Sequence, residues 1–195
     1  EEILEYDPSL LIVSTGCSYK REIESMVKIL KKAREYSLLH CISIYPTPLH
    51  EANLSRLDYL KSLISSVGLS DHSNYESDGL SILKWSVCKG IDFVERHFTI
   101  LDKKETKDGV VSLNPQQMRE AVEICHWKES DKISFQKNNQ KLESIIIGDA
   151  NRELSDVELL NRDYYQGRFA SKSLNEEIIF NWDRNFKFDQ IRHTI

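Results

Sequence analysis

His72 and His97 are the side chains in this sequence whose type and placement best suit chemistry. Each stands at or just after the end of an apolar, strand-length run. Imidazole nitrogen binds Mn, Fe, Co or Zn, and two histidines from neighbouring strands can share one ion while leaving positions for water and substrate. Spacing alone leaves a second reading open, in which each is a hydrogen-bonded core or loop histidine. Asp71 and Glu95 adjoin them and are expected to orient the rings. No His-Glu-x-x-His or similar compact metal motif occurs.

Three further features fall near strand ends. Tyr45-Pro-Thr-Pro48 is a rigid turn that either holds an aromatic hydroxyl over a substrate or simply ends a strand. Asp108 lies in a charged loop, Asp102 to Asp108, of the kind that carries substrate contacts or is merely solvated surface. The four cysteines, Cys17, Cys41, Cys88 and Cys125, occur singly, without the pairing of a zinc ribbon or a redox motif. They read as reduced core thiols.

The elements that must position these groups alternate between short apolar runs and amphipathic helices. Leu10 to Ser14, Ser37 to Ser43, Val67 to His72 and Ile91 to Phe98 read as strands. Between them, Ile23, Met26, Val27, Leu30 and Ala33 make one apolar stripe, and Asn53 to Leu63 and Gly79 to Cys88 read as shorter helices. Asn114-Pro115 is an N-cap and first-turn pair for a helix carrying Met118, Ala121, Val122 and Cys125. Four β/α units in tandem predict a parallel sheet, with chemistry at the C-terminal ends of its strands. Ser14, Ser43, His72 and His97 all fall there. No glycine-rich phosphate loop follows the first strand, so a barrel is preferred over an open doubly wound sheet.

The predicted fold is therefore α/β: half of a (β/α)8 TIM-type barrel over residues 1–128, with 129–195 as linker and tail. Four units leave two open sheet edges. The chain opens Glu1-Glu2-Ile3 without methionine, which predicts a fragment or processed product. With 195 residues, 40% hydrophobic and 29% charged, the composition is that of a globular protein. A net charge of −5 argues against a nucleic-acid or polybasic membrane binder, and no apolar run is long enough for a membrane span. A cytoplasmic location is the default expectation.

Six motifs carry a resemblance: Ser14-Thr-Gly16, Leu39-His-Cys41, Tyr45-Pro-Thr-Pro48, Gly68-Leu-Ser-Asp-His72, Glu95-Arg-His-Phe-Thr99 and Ser112-Leu-Asn-Pro115. In order and spacing, over roughly residues 8–128, the chain resembles the N-acetylneuraminate (sialic acid) synthase family. That resemblance implies the C-terminal half of a TIM barrel followed by the start of an antifreeze-like (SAF) domain, faintly echoed by Gly167-Arg-Phe-Ala-Ser171 and Asn181 to Phe188. It implies a transferase that joins phosphoenolpyruvate to an N-acetylated amino sugar such as N-acetylmannosamine, releasing phosphate. C3 of phosphoenolpyruvate attacks the sugar aldehyde, water adds at C2, and the tetrahedral intermediate expels phosphate.

The resemblance also implies roles. His72 and His97 would bind a divalent metal, Mn or Mg, that activates the aldehyde. Ser14, Ser43 and Ser70 would line the phosphoenolpyruvate pocket, Tyr45 would stand near the acceptor sugar, and Asp108 would hold that sugar. The complete protein would be a swapped homodimer. Ser43 stands where the family often has Asn, Glu105-Thr-Lys107 replaces a usual Pro-Gly-Pro, and Ser73 to Asp78 look like extra residues at the mouth of the site. The family's phosphate-gripping lysines lie in an upstream half-barrel that this sequence does not contain, so the fragment alone is expected to be inactive. A non-catalytic half-barrel that pairs with another chain is the alternative reading.

Overall fold

The computed structural model describes residues 2–166, 170–172 and 178–180, with side chains from residue 3 to 162. It divides into two units, Glu1–Leu154 and Ser155–Ile195. The first is built on four parallel strands, β1 Leu11–Ser14, β2 Tyr36–Cys41, β3 Val67–Asp71 and β4 Phe93–Arg96, hydrogen-bonded in sequence order. Helices α1 Lys20–Leu30, α2 Ser55–Leu63, α3 Tyr75–Asp78, α4 Ser81–Cys88 and α5 Pro115–Cys125 complete the β/α units. This is the α/β half-barrel that the alternation predicts, with boundaries shifted by one or two residues at most strand ends.

Period-two alternation sorts each strand into two faces. Leu38, Val67 and Leu69 point to the helices and pack with Ile23, Leu57 and Leu60 in the main core. The α1 stripe supplies Ile23, Val27 and Leu30 as its buried residues. A second cluster, with Leu80, Leu83, Leu113 and Ile124, seats α4 and α5. The opposite face carries Ser14, Leu39, Gly68 and Phe93 in register across all four strands, followed by Cys41, Ser70 and Glu95 one step later. That inner face is polar toward the strand C-termini.

Local chemistry sets the helix ends. Asn114 and Gln117 form a reciprocal capping box on α5, with Pro115 in the first turn. The residues after His72 make the one-turn α3, whose Asn74 cap accepts from the Glu76 amide at 2.9 Å.

The stretch after Lys128 is not a linker up to residue 146. It forms α6 Glu129–Asn138 and α7 Gln140–Ile146. Its apolar residues make no continuous stripe, yet Phe135, Leu142 and Ile146 pack on the core: the Phe135 ring lies 5.5 Å from Trp85 and 5.4 Å from Trp127, and Ile146 is 1% exposed. The amides of Leu54 and Ser55 donate to the carbonyls of Ile146 and Ile147 at 3.0 and 2.8 Å, which caps α2 from a distant segment.

The second unit contains α8 Asp156–Gln166 and an antiparallel pair, β5 Ala170–Lys172 with β6 Ile178–Phe180. Ser155 and Glu158 cap α8 reciprocally. Gly167-Arg-Phe169 and Asn181 to Phe188, which carry the antifreeze-like echo, lie outside the described residues. Among the described residues no helix is long and apolar enough to cross a membrane.

Candidate functional site

The site forms where β3 and β4 stop. His72 and His97 are the first residues beyond their strands and project from the inner face, with ring centroids 5.3 Å apart and an edge-on arrangement. Tyr45, carried by the turn after β2, stacks on His72 at 4.1 Å and meets His97 edge-on at 5.7 Å. The Tyr45-Pro46 peptide is cis. Three side chains singled out from sequence therefore meet in one aromatic cluster.

Hydrogen bonds fix the protonation of His72. A carbonyl can only accept, so the 3.0 Å contact between Nδ1 and the Ile42 carbonyl places the proton on Nδ1. Nε2 then carries the lone pair and accepts from the Tyr45 hydroxyl at 2.9 Å. Burial lowers the pKa of His72, and burial with the neighbouring His72 lowers that of His97. Both rings are thus held neutral, the form that binds a metal.

Asp108 reaches the same cluster from the loop after β4, with its carboxylate 3.9 Å from His97 Nδ1. That loop is folded tightly on itself. A Cβ on Gly109 would come within 2.7 Å of three Lys103 backbone atoms, so only glycine lets the Asp108 turn close against the 3-10 turn Lys103–Glu105. Glu76 on α3 ties the loop down, accepting from Lys103 Nζ at 2.8 Å and from Gln117 Nε2 at 3.1 Å.

Below the histidines lies the serine-lined part of the inner face. The Cys41 thiol lies 3.9 Å from Ser43 Oγ, with Ser14 and Ser70 on the same face of the neighbouring strands, and Ser70 Oγ donates to Glu95 Oε1 at 2.6 Å. Gly16 closes this floor: a Cβ there would stand 2.6 Å from Ser43 Oγ and 2.8 Å from Cys41 Sγ. Burial pushes the Cys41 thiol up, so it stays protonated and is no nucleophile. Strand ends in the sequence already grouped Ser14 and Ser43 with the histidines, the resemblance added Ser70, and Cys41 was left as packing. The alternation of faces, which puts Ser14, Cys41 and Ser70 on one side, is the signal that unites them.

The two acids expected to orient the histidines do otherwise. Asp71 points to the helix side, because neighbours along a strand face opposite ways. There it pairs with Arg96 at 2.8 Å, both side chains 2% exposed or less. Glu95 shares the histidines' face but bonds Ser70. The carbonyl of Ile42 orients His72 in place of a carboxylate.

The donor set fits a divalent ion in part. His72 offers a lone pair backed by an Nδ1–H bond to a carbonyl, the usual support of a metal-binding histidine, and His97 faces it. No third His, Cys, Asp or Glu joins them in a metal-holding group among the described residues. An ion here would complete its coordination with water and substrate.

A β/α half-barrel with paired neutral imidazoles and a serine floor at its strand C-termini belongs to the class of barrel proteins whose chemistry sits on that rim. The chain is a member of the NeuB family, whose model matches residues 3–134. It is 34% identical over 164 residues to an uncharacterized protein of Methanocaldococcus jannaschii, covering 83% of this chain and 46% of the relative. It is 29% identical over 172 residues to the pseudaminic acid synthase of Campylobacter jejuni, covering 87% and 45%. Among solved structures, the N-acetylneuraminic acid (sialic acid) synthetase of Leptospira borgpetersenii matches with a TM-score of 0.54 at 27% identity, covering 86% of this chain and 51% of that one. The chain spans about half the length of these relatives.

Proposed function

We propose that this chain forms the metal-binding half of a nonulosonic acid synthase, which condenses phosphoenolpyruvate with an N-acetylated amino sugar and releases phosphate. The observation that carries this reading is the facing pair His72 and His97, set above a serine-lined floor in a member of the NeuB family. Bound Mn or Mg would supply Lewis-acid polarisation of the sugar aldehyde.

The chain's own residues do the rest of the work on this side of the barrel. The hydroxyls of Ser14 and Ser43 offer neutral donors to the phosphoenolpyruvate oxygens, and Cys41 keeps that floor small and protonated. Glu95 holds Ser70 by its hydroxyl proton. Asp108, half exposed at the mouth, accepts from sugar hydroxyls, and Tyr45 presents its hydroxyl beside the same space. His72 and Tyr45 share one lone pair. A cation on Nε2 and the Tyr45 hydrogen bond are therefore mutually exclusive, and occupancy would release the tyrosine hydroxyl toward the acceptor.

A second reading rests on the exposed edges. Strands β1 and β4 each have one unpaired side within the four-stranded sheet, and Ile12 on the inner face is 46% exposed. A half-barrel that serves only to pair with another chain would show the same edges. The test is phosphate release from phosphoenolpyruvate with a panel of N-acetylated amino sugars, using this chain joined to the upstream half of a relative. Release abolished by His72→Ala and by His97→Ala supports the synthase. Assembly without sugar-dependent release supports the pairing module.

A further inference from the structure

The main-chain ladder between β3 and β4 ends at the pair Asp71 and Arg96. Both histidines lie one residue past it, where the backbone turns to other partners. The His72 carbonyl accepts from Thr47 N at 2.9 Å, and the His97 carbonyl accepts from Leu113 N at 2.8 Å. No backbone hydrogen bond thus joins the two residues whose separation matters most.

The Arg96 side chain takes over at this point. Its Nη1 donates to the Asp71 carbonyl at 2.8 Å and to Ser73 Oγ at 3.2 Å, and its Nη2 donates to the Ser73 carbonyl at 2.7 Å. The acceptors are the residues on either side of His72. Asp71 Oδ1 meets the same guanidinium at 2.8 Å and also accepts from the Ser73 amide at 2.8 Å, closing a compact turn around His72. Arg96 itself immediately precedes His97. One planar fork therefore grips both flanks of one histidine from the residue before the other, on the face opposite the site.

We infer that Arg96 is a positioning residue: its buried guanidinium, locked by Asp71, acts as the strut that sets the spacing of the His72 and His97 rings. This rests on the proposed metal-binding reading for its consequence, but the geometry it sets exists without an ion. A lysine has no fork and cannot span the carbonyls of residues 71 and 73 with the same rigidity, so the requirement is for arginine and not for charge. The unpartnered Asp71 Oδ2 and Arg96 Nε show how fully the pair's hydrogen bonding is spent toward β3 and not toward the helices.

The experiment compares Arg96→Lys, Arg96→Met and Asp71→Asn with the parent chain. In metal-free protein, cross-relaxation between the His72 and His97 ring protons is measured by NMR. The signal should weaken in Arg96→Lys and disappear in Arg96→Met. Mn affinity, read by electron paramagnetic resonance on the folded protein, should fall by about 10- to 100-fold in Arg96→Met, the range for residues that orient ligands. A purely structural role would lower the melting temperature and leave both readouts of the folded form unchanged, which overturns the inference. If Arg96→Met does not fold, Arg96→Lys and Asp71→Asn decide it by the same two readouts. His72→Ala and His97→Ala separate the cases: unaltered Mn affinity in both refutes the metal reading, while the ring-proton signal still judges the strut.

Discussion

Ile146 offers a direct measure of whether the helices after Lys128 belong to the half-barrel. Its side chain is 1% exposed and sits in the main core with Leu54, Leu57 and Leu60. Truncation to Ala removes three carbons from a packed interior. The transfer contribution of a fully buried Ile is about 1.5–3 kcal/mol, and with the cavity left behind such truncations cost about 2–5 kcal/mol. Taking about 3 kcal/mol, and roughly 2–4 °C per kcal/mol for a unit of this size, the melting temperature should drop by roughly 6–12 °C. The neighbouring Ile145 is 48% exposed on the same helix, so Ile145→Ala should stay within about 0.5 kcal/mol. Thermal denaturation followed by far-ultraviolet circular dichroism reads both. Equal shifts for the two variants, or no shift for Ile146→Ala, would refute the packing of α7 into the core.

Removing the Tyr45 hydroxyl with Tyr45→Phe frees the His72 lone pair, and Mn affinity should rise by about 2- to 10-fold, the worth of one net hydrogen bond; an unchanged or weakened affinity would contradict the competition. Because burial lowers both histidine pKa values from 6.5, the neutral rings contribute stability that is present above pH 6.5 and lost as pH falls through the lowered values. Mn binding measured against pH should accordingly lose half its strength below pH 6.5, and a midpoint above that value would count against neutral buried ligands. On the proposed function, Gly109→Ala should displace the Asp108 turn and raise the acceptor KM of the half joined to its upstream partner several-fold with little change in kcat, since the clash is with backbone atoms of Lys103. Glu76→Ala should speed amide hydrogen exchange at Gly109 and Val111, while Glu76→Gln, which keeps an acceptor for Lys103 and Gln117, should not.

The half-barrel was legible because its strands and helices differ in period, and because Asn114-Pro115 is a local cap that needs no tertiary context. Helices α6 and α7 were not legible. Phe135 stands in a polar stretch and Ile146 in a three-residue isoleucine run too short to show a period, and their burial depends on Trp85, Trp127 and Leu54, distant in sequence. In the site, His72, His97 and Tyr45 were singled out by type and by their place at strand ends, and the structure brings their rings together. Asp71 was assigned to His72 by adjacency alone, although alternation along a strand sends adjacent side chains apart. Arg96 was passed over as a motif letter, since a buried fork is visible only when both strand ends are placed.

The cap on α2 also bears on the order in which the chain can fold. The amides of Leu54 and Ser55 find their acceptors at Ile146 and Ile147, and the Arg56 guanidinium reaches the Ala150 carbonyl. During synthesis the Leu54 and Ser55 amides must therefore wait, satisfied by water, until some ninety further residues have been made. Closing so long a loop is slow compared with forming neighbouring strand pairs. The turn that carries Tyr45 is anchored separately, through the Thr47 amide to the His72 carbonyl, so the histidine cluster can assemble before the start of that helix is capped.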